Sequence, residues 1–133
     1  MHGVRRMVGA AFLVLAAAPV VAHHSFSAEY DDKKPVKLTG KVSTMRWSNP
    51  HAWIYLDVAG KDGKVAKWSW EMGGANALIR NGWRKEDLPA GTVLVIEGYQ
   101  ARNGSNTANA SSITFPDGKR LFAGSSKPGA KQK

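Results

Sequence analysis

The chain has 133 residues and no cysteine. That absence excludes disulfide scaffolds, cysteine-ligated zinc, iron–sulfur clusters and thiol catalysis. Acidic residues are scarce: 10 Asp and Glu stand against 19 Lys and Arg, a formal net charge of +9. The longest apolar run, in residues 7–18, is too short to span a bilayer comfortably. There is no G-x-S-x-G, no H-E-x-x-H and no phosphate-binding glycine loop, so nothing indicates an enzyme. The length admits one ordinary domain. A hydrophobic fraction of 43% is too high for a disordered basic chain.

What is present begins with an address. Arg5 and Arg6 precede the uncharged run MVGAAFLVLAAA, Pro19 breaks its helical pattern, and Val20 and Ala22 are the small residues at −3 and −1 of a cut after Ala22. This is the three-part layout of a secretory signal peptide, and it predicts a cleaved leader over residues 1–22 and a periplasmic protein. Two of the arginines leave with the leader and three lysines lie in the last nine residues, so the body that folds is only mildly basic.

The remainder reads as short strands with one helix. Residues 36–43 alternate apolar and polar, with Gly40 marking a bulge or bend. After Ser48-Asn49-Pro50, residues 52–58 alternate again, Asp62-Gly63 turns the chain, and residues 65–72 return. That return puts Trp68, Trp70 and Met72 on one face and Lys67, Ser69 and Glu71 on the other. Asn76 is the expected cap of a short helix that ends at Gly82. Residues 92–98 read as a strand buried on both faces, 100–109 as a polar loop, 110–115 as a fifth strand, and 120–122 as a short last one. The fold class is therefore all-β with one short helix. Five strands with the helix between the third and fourth match a small OB-like Greek-key barrel. The expected layout is a leader over 1–22, an extended segment over 23–35, the barrel over 36–124 and a flexible basic tail over 125–133.

Histidine is the informative residue type. Cleavage after Ala22 would make His23 and His24 the first two residues, and the only other histidine of the mature chain is His51, in the first loop of the barrel. A free amine and the imidazole of the same residue chelate a metal, and a second imidazole completes a three-nitrogen site that suits Cu(II). The expected metal ligands are thus His23, His24 and His51, with copper the favoured ion. The structural alternative is plain: histidines at a chain end are ordinarily solvated, and one after Asn-Pro is ordinarily a turn residue. A ligand-binding surface is expected from Trp47, Asn49, Trp53, Asn103 and Asn106, because the loops after the first and fourth strands rim the binding face of an OB barrel. Glu71 is the one carboxylate expected to be semi-buried, in a salt bridge with Arg80 or Arg84.

Single-stranded nucleic acid is a poor fit, since no basic stripe accompanies an aromatic one. The lysines of the tail suit a weak contact with anionic surfaces. The partners that remain are a small ligand, a metal or another periplasmic protein, and the competing reading is an accessory module or small-molecule carrier without metal.

Several segments together resemble a known family. HHSFSAEYD (residues 23–31), LTGKV (38–42), WSNPHAWIYLDV (47–58), WEMGGAN (70–76), NGW (81–83) and DGKRLFAGSS (117–126) are similar to those of a family of small secreted bacterial proteins of unknown function. The resemblance implies an exported protein and brings no activity with it.

Overall fold

The computed structural model describes residues 26–130. Residues 1–25 and 131–133 lie outside them, and with them the leader, its cleavage site, His23, His24 and the last two lysines. One helical turn, α1 (Phe26–Glu29), leads into a long strand, β1 (Tyr30–Arg46). Then come β2 (Trp53–Ala59), β3 (Val65–Glu71), α2 (Ala75–Arg80), β4 (Val93–Ala101), β5 (Thr107–Thr114) and β6 (Arg120–Phe122).

Closure depends on β1 changing partner. Residues Pro35 to Lys41 pair with β4, and Lys41 to Arg46 pair with β2. With the β2–β3 hairpin, the β4–β5 pair and a parallel β3–β5 contact, five strands form a closed ring in OB order. The bulge that lets β1 bend falls between Val42 and Thr44, not at Gly40. Gly40 pairs regularly with Leu94 and has a different reason to be glycine: a Cβ there would stand 3.1 Å from both the Asp57 carbonyl and Val58.

Alternation selects the core. Val42, Ile54, Leu56, Trp70, Met72, Leu94, Ile96 and Ile113 fill the barrel, and Leu78 of α2 closes one end. Trp83 packs beside it and donates its indole N–H to the Phe122 carbonyl at 2.8 Å. β4 is buried on one face only. Leu94 and Ile96 point inward, while Val93 is 48% exposed, because a barrel wall has a single dry side. The expected loop over 100–109 shrinks to residues 102–106, since β4 and β5 each run further than the apolar pattern alone marks.

Residues 26–35 form a helical turn that continues into β1. Ser125 and Ser126 hydrogen-bond to Asn109, and the Lys127 ammonium sits 2.9 Å from the Tyr99 hydroxyl and 4.2 Å from its ring centre. Gly124 makes this possible: its φ is +74°, and a Cβ would meet the Gly73 backbone at 2.7 Å.

Candidate functional site

Strand register lays four residues in one row. Tyr99 of β4 pairs with Asn109 of β5, Asn109 with Glu71 of β3, and Glu71 with Trp53 of β2. Trp53, Glu71 and Asn109 alternate with core residues and so lie on the outer face of the barrel, which a local pattern assigns to solvent. Yet Glu71 is 6% exposed and Asn109 only 1%. Both ends of the described chain cover them. Phe26 stacks edge-on against Tyr99 and beside Tyr30, with ring centres 5.7 Å apart in each case, and residues 125–127 lie across Asn109 and Tyr99.

A buried carboxylate must be satisfied by donors. The Tyr30 hydroxyl donates to Glu71 Oε2 at 2.7 Å, and Asn109 Nδ2 approaches Oε1 at 3.4 Å. His51 Nδ1 lies 3.3 Å from the same Oε1 and 3.3 Å from the Met72 carbonyl. These are the partners of Glu71, in place of the expected Arg80 or Arg84. Burial, followed by the hydrogen bond to Glu71 and its negative charge, pushes the Tyr30 phenol well above the ordinary tyrosine range.

His51 is fixed from both sides. Ala52 N–H donates to the Gly73 carbonyl and Met72 N–H to the Ala52 carbonyl, and the Ser48 hydroxyl holds the His51 carbonyl at 2.5 Å. Both neighbours of Nδ1 are acceptors, so Nδ1 carries the proton. Among the described residues Nε2 has no partner, and the side chain is one-third exposed. In that tautomer Nε2 carries the lone pair.

The expected ligand-binding residues divide. Trp53 and Asn103 line one cleft of about 370 Å³ with Tyr30, Arg102 and Thr107, and Tyr30 links that cleft to Glu71. Trp47 is half-buried against the core and donates its indole N–H to the Lys85 carbonyl. Asn49 is structural: its Oδ1 accepts from the Asn76 amide at 3.3 Å, while Ser48 accepts from Ala75. The residue at the N-cap is Gly74, and the capping oxygen comes from Asn49, not from Asn76 as expected. Gly74 must be glycine for this, since a Cβ would stand 2.6 Å from the Pro50 carbonyl. Asn106 contributes its backbone carbonyl to Ser69.

His23 and His24 lie outside the described residues. Among the described residues no three of His, Asp and Glu converge to hold a metal. Sequence reasoning passed over Tyr30, Asn109, Ser125 and Ser126. The one signal for them is Glu71, an acid between two buried apolar residues that must find donors somewhere.

The fold and site define a small OB-like β-barrel in which residues 26–30 and 125–127 seal a buried carboxylate against the outer wall. The chain belongs to the family of unknown function DUF6152, whose match spans residues 10–110. Among curated proteins, none matches.

Proposed function

We propose that the protein is exported through residues 1–22 and binds a metal, copper favoured, through His51 Nε2 and the amine and imidazole of the new N-terminus at His23, with His24 as a substitute ligand. The observation that carries this reading is the hold on His51 Nδ1 by Glu71 and the Met72 carbonyl. Metal-binding histidines are oriented in this way, by a carboxylate or carbonyl on the nitrogen that does not bind. The path of the chain adds support. Phe26 and Tyr30 dock beside Glu71, and three residues of extended chain reach about 10 Å. His23 is three residues before Phe26. Two imidazoles and an amine form a nitrogen set that suits Cu(II).

Copper titration of the processed protein tests the reading. Acetylation of the His23 amine removes amine chelation, and His51→Ala removes the fixed imidazole; each is expected to weaken binding at least tenfold. Unchanged affinity in both overturns it. A second reading, a small-molecule carrier without metal, rests on the cleft between Trp53 and Asn103. A melting temperature that rises with copper favours the first reading, and one that ignores copper favours the second.

A further inference from the structure

A groove separate from the His51 site runs over β4, β5 and the C-terminal segment. It consists of two adjoining clefts of about 430 and 480 Å³ that share Tyr99, Ser111, Ser112 and Arg120. Its floor is built by a bulge. Gly98 pairs with Ala110 and Glu97 with Ser112, so Ser111 has no strand partner. Gly98 permits this, because a Cβ there would fall 2.0 Å from the Asn109 carbonyl. Ser111 is half-buried, lines both clefts, and its hydroxyl makes no hydrogen bond among the described residues.

Charge in the groove is one-sided. Lys37, Arg120 and Lys127 line it, against the single acid Glu97. Glu97 is already shared by Lys37 at 3.5 Å and Arg120 at 3.1 Å. Only Nη2 of Arg120 is engaged, with Glu97 and the Ser112 hydroxyl, which leaves the rest of the guanidinium fork without a protein partner among the described residues. Lys127 is held over the Tyr99 ring, and both cations line the cleft that Ser111 lines. Phe122 and Pro128 supply an apolar wall to the same cleft.

We propose that this groove binds a small organic monoanion, a carboxylate on a flat apolar body. The carboxylate lies between Arg120 and Lys127 on the Ser111 hydroxyl, and the body lies against Phe122 and Pro128. The Nε–H and Nη1–H of Arg120 remain to donate single charge-assisted bonds to a carboxylate oxygen. The nearby Glu97 disfavours a dianion more than a monoanion. The volume is at the lower end of the range for small-molecule pockets. His51 lines neither cleft, so the proposal does not rest on metal binding.

The test is calorimetric titration of the full chain with benzoate, with benzamide as its uncharged counterpart and with inorganic phosphate, followed by amide shifts in a two-dimensional NMR spectrum. Benzoate is expected to bind at least tenfold more tightly than benzamide, with shifts centred on Ser111, Arg120 and Phe122. Arg120→Gln and Lys127→Gln are each expected to weaken benzoate about tenfold, the loss of a charge-assisted contact. Both are surface changes, so the fold survives them. No benzoate binding, equal affinity for benzamide, or unchanged affinity in both variants overturns the proposal. Phosphate bound as tightly as benzoate overturns the assignment of an organic body.

Discussion

Tyr30→Phe isolates one bond. The ring stays packed on Phe26, so no cavity opens and the change is confined to one hydroxyl. That hydroxyl donates to Glu71 Oε2 at 2.7 Å, and the Glu71 side chain is 8% exposed, so water replaces it poorly. A hydrogen bond to a charged group contributes about 1.5–3 kcal/mol, and leaving a buried carboxylate oxygen without it places the cost in the upper half, about 2–3 kcal/mol. For a domain of this size the melting midpoint should fall by about 10–20 °C. Urea denaturation at neutral pH measures the loss, and a cycle with Glu71→Gln should return a coupling of at least about 1 kcal/mol. The pH dependence has a definite sign. Because the folded phenol is pushed above its unfolded value of about 10, its contribution is complete below pH about 10 and is lost as pH rises beyond it. Phenolate absorbance of the wild-type chain, which has 3 tyrosines, should show a late step that accompanies unfolding and is missing from the variant. A stability loss under about 0.5 kcal/mol, or a late step that survives the substitution, would refute the reasoning.

Other consequences follow from single contacts. Asn49→Ala removes the oxygen that caps α2 and should cost about 1 kcal/mol in urea denaturation, whereas Asn76→Ala should cost less, because the Asn76 backbone amide and not its side chain makes the contact. Gly124→Ala puts a Cβ 2.7 Å from the Gly73 backbone at a φ of +74°, so a loss of about 2 kcal/mol or more is expected; a thermal midpoint equal to wild type would contradict the close approach. Ser125→Ala should raise amide exchange at Asn109 and in residues 125–127 while leaving the β2–β3 hairpin protected. Copper at a hundredfold excess over its dissociation constant should stabilise the processed protein by about 2.7 kcal/mol, and His51→Ala should remove about half of that gain or more.

The strands and their order were legible because each buries one face, and alternation records which. Ile54, Leu56, Trp70 and Met72 announce the inside of the barrel within a few residues of sequence. The helix was legible in place but not in cap: Gly74 has no side chain to signal a start, and the oxygen that serves it sits on another segment. Strand ends were less legible, since β4 and β5 are extended by pairing with each other and with β3, not by apolar residues of their own.

By itself, the sequence determined that the chain folds as a small barrel, which residues face its core, and that Glu71 lies on the opposite face. Only the tertiary structure decided that this opposite face is dry at Glu71 and Asn109. The reason is physical. Alternation is a local rule about which way side chains point, and it carries no information about what arrives to cover them. Tyr30 comes from 41 residues before Glu71, and Ser125 from 16 residues after Asn109. Closing the barrel brings those distant segments to one place. There an outward-facing acid becomes a buried carboxylate that holds a histidine in position.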